Sequence, residues 1–431
     1  MNFLKNIIFA LFFLFFQQIS TAQSQTVADL HKYYEDIAKK YLVKHQSLLH
    51  FFSIDAKGIA IYDSYASKKA DLPECRIFWD ELDEFKQIVL NEKEETQLEI
   101  YENKKNQRFS EAVKNNFLRK YKAKKTEKTT GKKLSGYRIV LDPGHIAGDM
   151  EIAKIEGRFI EMEVDGKKLE FCEGDLALST AKLIKEKLEK QGAEVLISRP
   201  LPNISANGKT FERWRKEDLP PILLSELKSK AISKKEYKRL QSFHARAFQT
   251  YFVGQDLEKR AEIINDFKAD LALIIHFNAD ATKKKWDDIS KNNYNMVFVP
   301  GAFLKEELGR PLDRLHFLRL LVLGNFDKSI RFAKLTIKEM TEELNVPAVP
   351  LKNNISYLKN AVIPISTGVY ARNLGLCQML NCPLVYAESF YQDNAEEAKR
   401  LALNDSKNNK YAPRIVQLAD AYYQAILLYF N

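Results

Sequence analysis

The run Tyr137-Arg-Ile-Val-Leu-Asp-Pro-Gly-His145-Ile-Ala-Gly-Asp149 constrains this chain most. Tyr137 to Leu141 is a short apolar segment, opened by Ser135-Gly136 and stopped by Pro143-Gly144. A continuous apolar run of that length between turn residues predicts a strand buried on both faces, the kind found in parallel sheets covered by helices. His145 then follows the C-terminal end of a central strand, the edge at which open α/β sheets bind ligands. Two later runs have the same character. Leu271-Ala-Leu-Ile-Ile275 is followed directly by His276, and Pro383-Leu-Val-Tyr-Ala387 by Glu388.

Amphipathic helices lie between these runs. Asp175 to Lys190 sets Leu176, Ala177, Ala181, Ile184 and Leu188 on one face, with Gly192 beyond its end. Further helices are predicted over Asp256 to Phe267, Lys328 to Leu344 and Ala412 to Tyr429, and further strands over Val195 to Ser198 and Asn295 to Pro300. Strand alternating with helix predicts an α/β fold, a mostly parallel twisted sheet with helices on both faces. Met150 to Phe171 alternates around Asp165-Gly166 and reads as a hairpin beside His145. Residues 200–250, with Trp214 and a Lys-rich helical pattern, and residues 281–325 read as insertions; beyond Pro300 the second is expected to be a loop out to about Asn325. The main domain is therefore expected over residues 137–431.

The preceding chain differs. Residues 27–118 read as a small N-terminal α+β region, with a helix inside Ala28 to Phe52, two strands around Asp55-Ala-Lys-Gly58 and a helix over Phe78 to Leu90. Residues 119–136 hold eight Lys or Arg against one Glu and read as a basic linker. Met1 to Ala22 has Lys5, an apolar run from Ile7 to Phe16 and small residues at Ser20-Thr21-Ala22, the pattern of a secretory signal peptide. That predicts an exported chain, periplasmic or extracellular, with no transmembrane span after its removal. For such a chain a formal charge of +10 favours wall polymer or lipid head groups over nucleic acid. Four scattered cysteines are too few for a disulfide scaffold, and Cys377 and Cys382 read as buried thiols more readily than as a pair.

A catalytic zinc ion needs three protein ligands from His, Glu, Asp or Cys and an open position. His145 and His276 are brought to one edge by the parallel topology. Glu173 stands at the start of the next helix, near that edge. Glu151, Glu156, Glu161, Glu163 and Glu170 offer the same chemistry, and only position favours Glu173. Glu388, beyond a dry strand, would be partly desolvated with a raised pKa, which suits a general base. Two His, a ligand Glu and a free Glu describe a metal-dependent amide hydrolase. His31, His45, His50, His244 and His316 lack a strand-end context and read as structural.

Six spaced blocks carry a resemblance: Ile139-Val-Leu-Asp-Pro-Gly-His145, Glu173-Gly-Asp-Leu-Ala-Leu, Val195-Leu-Ile-Ser-Arg199, Leu257-Glu-Lys-Arg260, Ala269-Asp-Leu-Ala-Leu-Ile-Ile-His276-Phe-Asn-Ala279 and Leu384-Val-Tyr-Ala-Glu388. Together they resemble the catalytic domain of the zinc-dependent N-acetylmuramoyl-L-alanine amidases. The resemblance implies His145, Glu173 and His276 as Zn2+ ligands and Glu388 as the general base for zinc-bound water. The implied reaction is hydrolysis of the amide joining N-acetylmuramic acid to L-alanine, with peptidoglycan muropeptides as substrate; a regulatory protein partner is a further expectation. Arg372, close before the last strand, and Asn278 are the substrate-binding candidates, with a structural ion pair as the competing role for Arg372. Departures exist: Ile146-Ala147 stands where the family has Gly-Gly, Phe277 follows the second His, and Ser389-Phe390 follows the last Glu. A zinc amidohydrolase or peptidase acting on another exported amide, and a non-catalytic cell-wall-binding protein of the same fold, are the alternatives.

Overall fold

The computed structural model describes residues 26–111, 113, 131–280 and 288–431. The expected signal peptide and residues 119–130 of the expected linker lie outside the described residues. Strands β1 (Phe52–Ile54), β2 (Gly58–Ile61) and β3 (Cys75–Phe78) form a small antiparallel sheet near the N-terminus. Strand β4 (Arg138–Pro143) opens the main sheet, followed by a separate hairpin of β5 (Phe159–Val164) and β6 (Lys167–Cys172). The main sheet continues with β7 (Glu194–Ile197), β8 (Leu271–Asn278), β9 (Met296–Pro300), β10 (Ile363–Ser366), β11 (Val369–Arg372) and β12 (Leu384–Tyr391). Its seven strands run in the order β10-β11-β9-β12-β8-β4-β7. The β11–β9, β12–β8, β8–β4 and β4–β7 pairs are parallel; β12–β9 and β10–β11 are antiparallel. The fold is α/β, as expected.

Alternation of side chains along each strand divides the core in two. Ile139, Leu141, Leu271, Leu273 and Ile275 face one layer, packed with the helices Glu173–Lys190, Phe326–Leu344 and Pro413–Phe430. Val140, Ala272, Ile274 and Leu384 face the other, against Ala261 and Ile264 of the helix Val253–Phe267. Asp142, His276 and Glu388 continue this second set. Every residue of β8 is buried, which explains its unbroken apolar sequence.

Several expectations need correction. The strand carrying His276 runs on to Asn278 and the one carrying Glu388 to Tyr391, so neither residue lies beyond its strand. The segment expected as one hairpin begins with a helix, Met150–Glu156, closed by left-handed Gly157. The stretch expected as a loop to Asn325 holds a buried helix, Pro311–Leu323. Arg314, His316 and Arg319 break its apolar pattern, yet all three are buried and bond to Glu74 and Glu94 of the N-terminal region. One continuous core joins that region (Leu42, Phe52) to the main sheet. The insertion after β7 forms helices packed around Phe211, Trp214, Phe248 and Phe252. All four cysteines are free and buried. Among the described residues no helix is long and apolar enough to cross a membrane.

Candidate metal centre

Backbone geometry brings the polar residues together. Glu388 is the register partner of His276 in the parallel β12–β8 pair, so the two side chains lie side by side on one face. After β4, Gly144 N–H still bonds Ile275 O at 2.8 Å, and the chain then turns out at His145, whose φ of 56° is left-handed. That conformation is uncommon for a residue with a Cβ and needs support from its surroundings. Arg199, buried, supplies part of it by donating to the carbonyls of Pro143, Gly144 and Ile146. Glu173 is the first residue of its helix, aimed back at the same edge.

The imidazoles of His145 and His276 meet edge to face with centroids 4.8 Å apart, and Tyr386 stacks on His276 at 4.4 Å. His145 Nε2 lies 3.2 Å and His276 Nδ1 2.9 Å from the same oxygen, Glu173 Oε1. Phe277 N–H donates to that oxygen and Gln392 Nε2 to Oε2, at 3.1 and 3.0 Å, which holds the carboxylate in place. Ligand atoms of His145, Glu173 and His276 all lie within 4.8 Å of one another. Two ring nitrogens and a carboxylate oxygen pointing at one spot is the donor set of a catalytic zinc site, and these residues fit the ion.

Charge follows the packing. Burial works against a charge on His145, but Glu173 and Glu156 outweigh it and raise its pKa to about 9. Burial dominates at His276, lowering it to about 4 despite Glu173. Burial also opposes the charge of Glu173, yet the two imidazoles hold its carboxyl well below the usual range. Glu388 is half-buried, and its carboxylate has no hydrogen-bond partner among the described residues. Burial, then the like charge of Glu173, push its carboxyl up to about 8, with His145, Arg372 and Arg158 acting the other way.

A cavity of about 640 Å³ opens over these groups, lined also by Arg158, Asn278, Tyr357, Arg372 and Gln392. Arg372 stacks on Phe298 and Tyr357, its guanidinium carbon 5.3 and 5.1 Å from the ring centroids. Among the described residues no acid lies within ion-pair distance of it.

A family model described as N-acetylmuramoyl-L-alanine amidase matches residues 139–426, a span that includes His145, Glu173, His276 and Glu388. This chain belongs to the N-acetylmuramoyl-L-alanine amidase family. Solved structures similar to this amidase-family chain include the CwlD amidase of Clostridioides difficile in complex with the GerS lipoprotein, at 18% identity over 68% of this chain and 98% of that one, TM-score 0.36. Ami1 of Mycobacterium abscessus matches at 16% identity over 69% of this chain and 100% of its own, TM-score 0.37. AmiC2 of Nostoc punctiforme matches at 15% over 70% and 98%, TM-score 0.35. No curated protein matches.

Among the described residues, Glu173 is the acid whose ligand atom groups with the two imidazoles. Glu161 is taken up by Lys154 and Lys168 and Glu170 by Lys168, away from the imidazoles. Glu156 lies behind His145, at Nδ1. Sequence reasoning missed Arg158, Gln392 and the loop supports Arg199 and Arg260, although both arginines stood inside the blocks that carried the resemblance.

Proposed function

We propose that this chain is a zinc-dependent N-acetylmuramoyl-L-alanine amidase, hydrolysing the amide between N-acetylmuramic acid and L-alanine of peptidoglycan. Family membership supports the bond cleaved. The observation that carries the metal chemistry is the convergence of His145, Glu173 and His276 donors within 4.8 Å, beside Glu388 in register with His276. The three residues would hold zinc, which would supply a water made nucleophilic near neutral pH and a Lewis acid for the scissile carbonyl. Glu388 accepts the proton of the attacking water on its carboxylate and returns it to the leaving amide nitrogen. Arg372 receives a carboxylate of the stem peptide, and Asn278 bonds a peptide carbonyl in the same cavity. We assign residues 137–431 as the catalytic unit, residues 27–118 as a packed accessory region, and export as the route to the wall.

The test is product identity. Zinc-loaded protein incubated with purified sacculi is expected to release peptides with free N-terminal L-alanine, read by mass spectrometry. Release of disaccharide-linked peptides instead, or of nothing, overturns the assignment.

Gly144 gives a second expectation. A Cβ there would stand 2.3 Å from His276 Cε1 and Nε2, with no space for both. Gly144→Ala is expected to displace the ring and weaken zinc binding about tenfold or more, by analogy with losses seen when ligand orientation is disturbed. Chelator competition measures it; unchanged affinity would show that the ring can move without consequence.

A further inference from the structure

We propose that Glu156 is a positioning residue for His145, turning the imidazole so that Nε2 faces the metal position; the proposal rests on the metal reading above. Three groups point at this one carboxylate. Ile146 N–H donates to both oxygens, at 3.0 and 3.1 Å, and Ala147 N–H to Oε2 at 3.0 Å. His145 Nδ1 lies 3.2 Å from Oε1. An ionised carboxylate only accepts, so Nδ1 carries a hydrogen. The ring's other nitrogen, Nε2, is the one that meets Glu173 and is left to ligate. Glu156 is 5% exposed, and with its oxygens spent on His145, Ile146 and Ala147 it holds the ring from behind.

Ile146-Ala147 follows the left-handed His145, and the two buried N–H groups form a concave donor site. Glu156 fills it. The carboxylate is delivered by the helix Met150–Glu156, which is itself braced by the insertion after β7. Gln249 Nε2 donates to Glu156 O at 2.6 Å, and Ile146, Ile152 and Ile155 pack into the core of Phe211, Trp214 and Phe248. Insertion, helix and metal ligand thus form one connected block.

The test compares zinc affinity, by competition with a chromogenic chelator, for wild type, Glu156→Gln, Glu156→Ala and the exposed control Glu151→Gln. Glu156→Gln keeps volume but turns one acceptor into a donor facing N–H groups. It is expected to lose about 10- to 100-fold in zinc affinity. The same mismatch should lower its metal-free melting temperature, but by less than the loss in zinc affinity requires. Cobalt-loaded Glu156→Gln should also show visible bands shifted from those of cobalt-loaded wild type. Glu151→Gln should change neither. The proposal is overturned if Glu156→Gln and Glu156→Ala hold zinc as tightly as wild type, or lose affinity only in step with metal-free stability. Wild type that takes up no zinc would instead bring down the metal reading itself, a result visible before any variant is made.

Discussion

Glu388→Gln is expected to retain one zinc per chain and to lose about a thousandfold in amide hydrolysis, the middle of the range for a positioned general base or acid. The substitution preserves shape and removes only the capacity to take a proton. Glu388 stands next to His276 in register but outside the group of three whose donor atoms converge, so the metal keeps its ligands. A thousandfold corresponds to about 4 kcal/mol in the barrier. Glu173 does not replace it, being held by both imidazoles, Phe277 N–H and Gln392. Metal content by atomic spectroscopy and peptide release from sacculi are the two measurements. Turnover within tenfold of wild type removes Glu388 from the proton transfer, and loss of zinc makes it a ligand instead.

The parts of this site that were legible in sequence are those set by strand burial. β4, β8 and β12 lie in the interior of the sheet, so each reads as an apolar run, and parallel pairing puts their ends at one edge. That sufficed to unite His145, His276 and Glu388. The placement of His276 and Glu388 inside their strands was not legible, because a polar residue in a buried strand reads as an end. His276 and Glu388 are tolerated there because they are neighbours across the β12–β8 pair and open onto a cavity. Long-range pairing hid other features. Arg314 meets Glu74 at 2.6 and 2.8 Å across 240 positions, and without that partner its helix looks too charged to be buried. Glu156 was one of several equivalent carboxylates until the helix beneath it set it against His145 Nδ1. The β10–β11 hairpin escaped notice because its strands are four residues each, with Pro364 on the outermost one, where a missing donor is harmless.

Arg260→Met is expected to destabilise the fold by about 3–5 kcal/mol, because it leaves Asp142 buried without its cation. Asp142 is fully buried in β4 beneath the metal loop, and Arg260 is 4% exposed. Arg260 Nε donates to Asp142 Oδ1 at 2.8 Å, Nη2 to Oδ2, and Nη1 to Asp256 Oδ2 at 3.3 Å. Only Ser198 Oγ would remain on Asp142. Against a typical total of about 5–15 kcal/mol, such a loss lowers the melting temperature by about 10 °C. The cause is the orphaned charge, so adding Asp142→Asn to Arg260→Met should restore at least half of it, although each change alone destabilises. Nη2 also donates to Pro143 O at 3.1 Å, just before Gly144 and His145, and that contact is not restored in the double variant. The double variant should therefore melt closer to wild type yet bind zinc more weakly. A single variant that melts with wild type, or a pair whose losses simply add, would mean that Asp142 finds solvent or another donor and that the buried pair does not hold the loop.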